Sequence, residues 1–364
     1  MTTQLDAPPE DSLSKSKPLP TSRALSVVGK RVTLSKQFLR YALGVVWLLD
    51  GLLQLQPYMF TTGFADHIIA PSASGQPGFV AAPVMWGARL ILTHPVLFDA
   101  LFASVQIALG VGFFISRAVR PVIVVSVAWA VAVWYLGEGL GGLAGAHVTA
   151  LVGAPGAAII YAVLAVAAWP ARSRSPQKST VLKGERPPHW TIWAWAILWV
   201  SYAIMSCLPG NVRPSDVSSQ LVANASSAPA WLASLDRALA AAVKWGGAGG
   251  VVLFVAIELA IGLIAFSHSR FRVAAVCTGM ALAGWFWAVG QSFGELFSGQ
   301  ATDPEAGPIV ILLGLAVIGA MRRETKCGPA SDQEGERNLN GFEPAGWWRP
   351  KQSRLTLVEE AVRS

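Results

Sequence analysis

Residues 246–267 read GGAGGVVLFVAIELAIGLIAFS, an apolar run broken by one ionisable side chain, Glu258. An apolar run of roughly 18 or more residues is a candidate to cross a bilayer. The core of this run, Glu258-Leu-Ala-Ile-Gly262, lies 152 residues after Gln106-Ile-Ala-Leu-Gly110. Working outward, Trp134-Tyr-Leu-Gly-Glu138 answers Trp287-Ala-Val-Gly-Gln291, and Pro155 answers Pro308, each at a step of 153. Self-similarity at a fixed period sets the architecture, and here it points to two copies of one membrane unit.

Composition agrees. Of 364 residues, 53% are hydrophobic and only 13% charged, against about 25% charged in an ordinary soluble domain. The net charge of +7 does not signal nucleic acid, because the basic residues sit between apolar runs, where they orient membrane helices. Cys207, Cys277 and Cys327 have neither Cys-x-x-Cys nor metal-ligand spacing, and no disulfide is expected. The first residues lack the apolar stretch of a secretory signal.

Eight apolar runs follow one another: 39–56, 96–116, 121–138 and 154–170, then 190–208, 246–267, 273–291 and 306–321. Every second connection is basic. Arg117 and Arg120 lie in one, Arg172, Arg174, Lys178, Lys183 and Arg186 in the next, then His268, Arg270 and Arg272, and finally Arg322, Arg323 and Lys326. The expected fold is an all-α membrane protein of eight transmembrane helices, multi-pass in the cell membrane, with both termini cytoplasmic. Four helices per copy is an even number, so the two four-helix repeats run parallel, related by an axis along the membrane normal. The domains expected are a disordered basic tail at 1–36, a first repeat at 37–170, a basic linker at 171–188, a second repeat at 189–321 and a disordered tail at 322–364. Long outer loops are expected at 63–94 and 216–245, the second carrying an interfacial helix with Trp231, Leu235 and Leu239 on one face.

The pattern Arg40-x-x-x-Gly44 at the start of the first helix, with Glu258-x-x-x-Gly262 followed by a turn holding Arg270 and Arg272, resembles the DoxX/DoxD-like family of four-helix membrane proteins. The segment 290–294 (Gly-Gln-Ser-Phe-Gly), together with 302–308 (Thr-Asp-Pro-Glu-Ala-Gly-Pro), resembles an outer segment of such proteins. The likeness covers most of 39–321, once per half, and departs at Gln106, where the pattern has Glu, and at 191–193, which lack the opening Arg. It implies membrane redox chemistry: thiosulfate oxidation with quinone as acceptor in one branch, and a membrane partner of a redox enzyme in the other.

An ionisable side chain within a membrane helix is a candidate for function. Glu258 and Asp50, the latter flanked by Leu48, Leu49, Leu52 and Leu53, meet that description. Glu258 reads either as a proton acceptor or as a structural carboxyl that fixes helix packing. The copies trade acid for amide twice, pairing Gln106 with Glu138 and Glu258 with Gln291, and an amide hydrogen-bonds without titrating. Glu258, Glu138 and Asp50 are the candidate catalytic residues. Gln106, Gln291, Trp134 and Trp287 are candidates to hold a quinone or other ligand. A pocket around Asp50, Asp99 and Glu138, with His67, His94 and His147 in nearby loops, would bind a cation or pass protons from a quinol. No metal-ligand spacing supports a metal centre. Three classes of function follow: a quinone-linked redox protein or partner of a redox enzyme, a small-molecule or ion transporter with a polar site between the repeats, and a non-catalytic scaffold.

Overall fold

The computed structural model describes residues 34–145, 148–171, 184–226, 228–267 and 271–321. Most of the expected tails and linker, along with His147, His268, Arg270 and Cys327, lies outside them. The described residues are helical and contain no strand. The helices are α1 Lys36–Gln54, α2 Gly78–Thr93, α3 Pro95–Phe114, α4 Val119–Leu136, α5 Ala157–Ala167, α6 Trp190–Ser206, α7 Pro214–Asn224, α8 Ala230–Ile264, α9 Phe271–Val289 and α10 Ala306–Met321.

Four of these, α3, α4, α8 and α9, are long and apolar enough to cross a membrane. Helices α2, α5, α6 and α10 are apolar but shorter, and α1 carries Lys36, Arg40 and Asp50. Helix α5 has 11 residues where the apolar run spans 154–170. At 1.5 Å per residue it is about 16 Å long, because Pro155 and Gly156, the latter at φ +96°, delay its start. Large apolar side chains remain exposed along the outer faces, among them Leu52, Leu97, Leu101, Val124, Trp193, Ile197 and Val252. Exposure on this scale marks a surface that meets lipid or a partner.

Helices α5 and α10 form the centre. Most of their side chains are buried; they pack on each other, α5 also on α1 and α4, and α10 on α6 and α9. Around them α1 pairs with α3 and α6 with α8. The α1–α3 pair is close because Gly110 faces Leu48, where a Cβ would come within 2.8 Å of the Leu48 backbone nitrogen. Small residues of this kind let helix backbones approach.

Helix limits recur at the sequence step. Helix α2 begins at Gly78 and α8 at Ala230; α4 ends at Leu136 and α9 at Val289. The break between α2 and α3 at His94 answers a kink within α8 at Gly247, φ +58°. After α4 and after α9, the chain makes the same unusual turn. Residues 139–142 have φ of 53°, 58°, 61° and 77°, and residues 292–295 have 46°, 58°, 66° and 52°. Left-handed backbone costs roughly 1–2 kcal/mol per non-glycine residue, and Leu140, Ser292, Phe293 and Glu295 all adopt it.

Two sequence expectations change. The first outer segment is not a loop, since 78–93 is helix α2, whereas the helix expected around Trp231 is present as the first half of α8. Within that half, Leu232, Ala233, Asp236 and Ala240 are buried while Trp231 is exposed. The Pro155–Pro308 match does not hold in space, since Pro155 precedes α5 whereas Pro308 lies inside α10. The first connection is longer, by a turn at Ala150–Val152.

Candidate functional site

A cavity of about 920 Å³ opens at the end of the bundle where α1 and α4 finish and α5 and α10 begin. Its inner wall carries Asp50, Gln106, Trp129, Glu138 and Tyr161. The segment between α1 and α2 closes one side with Phe64, Ile68, Ser72 and Gln76. Thr302, Asp303 and Glu305, from the connection before α10, complete it. Both halves of the chain therefore contribute to one cavity. Among the described residues lining it there is no lysine, arginine or histidine.

Each acid is held by its own local structure. Asp50, on α1, is buried and accepts a hydrogen bond from the Tyr161 hydroxyl on α5 at 3.1 Å. The Tyr161 ring stands edge-on to Trp47, whose indole N–H donates to Ser126 on α4. Asp303 forms a tight turn, its two oxygens accepting from the Glu305 backbone N–H at 2.6 Å and from the Thr302 hydroxyl at 3.0 Å. That turn holds Glu305 at φ +65°, with its carboxyl against Gly153 of the first half.

Glu138 follows α4 and accepts from the backbone N–H of Ala158, the second residue of α5, at 3.1 Å. Gln291 does the same in the second half of the chain, its amide oxygen accepting from Gly307, the second residue of α10, at 3.1 Å. The first N–H groups of a helix lack partners within it, so both side chains cap a central helix. The other oxygen of Glu138 has no protein partner and lies against Gly156, where a Cβ would overlap it.

The loop acids share one field. Burial raises Glu138 well above the ordinary carboxylate range, and the charges of Asp303 and Glu305 add to that. Burial, then Asp303 and Glu295, push Glu305 up to about 8. Asp303 is raised too, chiefly by burial. Removing a charge from water disfavours it, and neighbouring like charges do so again. The cluster thus holds protons that isolated carboxyls would release.

The remaining expected residues fall into two groups. Gln106 lines the cavity, is 8% exposed, and its carbonyl oxygen has no protein partner. Asp99 is fully buried beside the cavity and bonded by Gln54, which does line it. Glu258 lies elsewhere, buried between α8 and α6, where the Ser206 hydroxyl donates to it at 2.9 Å. Trp134 donates to the Pro155 carbonyl and Trp287 stands edge-on to Phe293; neither lines the cavity. Gln291 also donates to the Ala150 carbonyl, tying the two halves together. His67 bonds to Tyr58 and His94 to Thr93. No three His, Cys, Asp or Glu side chains converge as metal ligands among the described residues, and Cys207 and Cys277 are free.

Asp303 and Glu305 went unrecognised as site residues from sequence. The signal was there: the segment before α10 carries Asp303 and Glu305, whereas residues 148–156 before α5 hold no acid. At the other end of the bundle, Lys36 pairs with Glu185 at 3.3 Å. There Arg40 is buried, with only a long 3.5 Å contact to Ser116 and the neighbouring Tyr41 ring beside it. Comparison with known protein families, with curated proteins and with solved structures finds no match for this chain.

Proposed function

We propose that the chain is a multi-pass membrane protein of two parallel four-helix repeats, eight crossings in all, with both termini cytoplasmic. The recurring helix limits and left-handed turns support the repeat. Lys36, Arg40, Arg117, Arg120 and Arg272, gathered at the end away from the cavity, support the orientation. In this reading the cavity opens outward and serves as the site of a small-molecule carrier that exchanges protons with its cargo. One observation carries it: Asp50 and Glu138 from the first half line the same cavity as Asp303 and Glu305 from the second. A site shared by two repeats is where carriers of this architecture bind, and carboxyls that hold protons near neutrality provide the coupling group.

A second reading, membrane redox chemistry with a quinone ring in the cavity, is favoured by the Trp129 indole N–H. It lines the cavity without a protein partner and would donate to a quinone carbonyl. This agrees with the DoxX/DoxD-like resemblance, and a redox enzyme would then be the partner. The test is reconstitution into sealed vesicles loaded with a pH-sensitive dye, with solutes screened outside. Proton movement coupled to a solute, lost in Asp50→Asn and Glu138→Gln, is the expected result. Quinone reduction without solute flux would replace the carrier by the redox reading. Solute flux unchanged when Asp50, Glu138 and Glu305 are all neutralised would move the function away from this cavity.

A further inference from the structure

We infer that the ligand of this cavity is an organic cation: a protonated amine carried on an apolar body. The inference rests on the reading of the cavity as a small-molecule site and names the chemistry it selects.

Three features of the wall point the same way. The first is charge. Asp50, Glu138, Asp303 and Glu305 line the cavity with no basic side chain among the described lining residues, so a cation is attracted and an anion repelled. The second is the set of unused hydrogen-bonding atoms. Acceptors outnumber donors there: beside one free donor, the Trp129 indole N–H, three acceptors in the lining have no protein donor, the side-chain oxygens of Gln76 and Gln106 and one oxygen of Glu138. Gln106 is more than nine-tenths buried, where an unmade hydrogen bond costs about 1–3 kcal/mol. An ammonium group offers three donors and no acceptor, which is what three acceptors of this kind lack. The third is the body of the cavity. Trp47, Trp86, Trp129, Phe98 and Phe102 line it, and aromatic faces attract cations while burying apolar surface.

A bare metal ion does not suit this wall. A hard divalent ion takes six or more oxygen ligands, and no three acidic or imidazole side chains converge among the described residues. A diffuse organic cation needs the field and the aromatic surface, which the wall supplies. Its arrival favours ionised carboxylates, so protons leave as it binds, which is the exchange a proton-coupled carrier requires.

The test is calorimetric titration of the full chain in detergent or nanodiscs with four probes of similar size: phenethylammonium, benzyltrimethylammonium, benzyl alcohol and benzoate. The expected order places phenethylammonium at least tenfold tighter than benzyl alcohol, and tighter than the trimethyl cation, which has no N–H to give. Benzoate does not bind. Glu138→Gln and Glu305→Gln each weaken phenethylammonium about tenfold, with melting curves run in parallel to establish that each variant is folded. Equal binding of charged and neutral probes, or preference for benzoate, overturns the cation assignment while leaving the cavity as a small-molecule site. Binding of none of the four, by a folded chain, overturns both.

Discussion

Glu138 caps α5 and Gln291 caps α10 through the same bond to the second helical N–H. The cap therefore needs an acceptor and not a charge, and the two jobs of Glu138 separate by substitution. Glu138→Ala removes the acceptor and leaves the N–H of Ala158, a buried residue, without a partner. An orphaned buried donor costs about 1–3 kcal/mol, so a loss of about 2 kcal/mol is expected. For a chain of this size that lowers Tm by about 2–4 °C. Glu138→Gln keeps an oxygen in place, as Gln291 does, so near pH 5, where the carboxyl is protonated and the cap bond is retained, it costs well under the roughly 1 kcal/mol of a hydrogen bond.

The pH dependence supplies the second half of the test. Glu138 is raised in the folded protein by burial, Asp303 and Glu305. A carboxyl raised on folding contributes stability that is fully present below its unfolded value, about 4.3, and is lost as pH rises through its folded value. Wild type therefore weakens as pH climbs above that range, and Glu138→Gln, which has no proton to lose, weakens less. Thermal unfolding in detergent at pH 5, 7 and 9 is the assay. The Gln variant should match wild type at pH 5 and exceed it at pH 9, with Ala below both at pH 5. A Gln variant as unstable as Ala at pH 5 would refute the cap, and parallel pH profiles for Gln and wild type would refute the buried-charge argument.

Glu305→Gln should flatten the wild-type fall in Tm between pH 5 and 9, because Glu305 titrates near 8 in the folded chain and its raised value places the loss on the alkaline side; unchanged curvature across that range counts against the loop cluster. Gly156→Ala puts a Cβ onto the free oxygen of Glu138 at φ +96°, so it should destabilise by about 1–3 kcal/mol and also weaken any ligand that Glu138 holds, as judged by melting and by titration. Ser206→Ala leaves buried Glu258, one of whose oxygens already lacks a partner, with neither bonded. A loss of about 1–3 kcal/mol is expected, recovered in part by the double variant Ser206→Ala/Glu258→Leu, which removes the stranded carboxyl; a double variant weaker than the single would argue for a functional charge at Glu258.

The helices were legible because apolar runs of this length have few alternatives, and all eight runs contain one. Helix α2 was not, because Pro71, Gly75, Pro77 and Pro83 read as loop punctuation. Proline inside a helix strips a carbonyl of its donor, and nothing local predicts the remedy. It comes from α4, where the Tyr135 hydroxyl donates to the freed Phe79 carbonyl at 3.0 Å. The site divides along the same line. Asp50 and Glu138 stood out as acids set in or beside apolar helices. Asp303 and Glu305 lie in a short polar connection, where acids are usually solvated, and tertiary packing, with the Glu305 carboxyl against Gly153, half-buries them.

That packing alters what the acid-for-amide exchange means. If Glu138 and Gln291 differed only by drift at a solvated boundary, either would serve and neither would face anything in particular. Instead both cap a central helix, and the carboxyl at 138 lies close enough to Asp303 and Glu305 to feel their charge. The second half has an amide at its own cap and two acids in the following connection, which line the cavity together with Asp50 and Glu138 of the first half. A carboxyl at 291 would lose the bond that Gln291 donates to Ala150, which joins the halves. The amide is thus required where the halves are tied together and the carboxyl where charge is gathered. A Gln291→Glu variant should therefore lose stability while Glu138→Gln keeps it, an asymmetry that two independent, equivalent bundles would not produce.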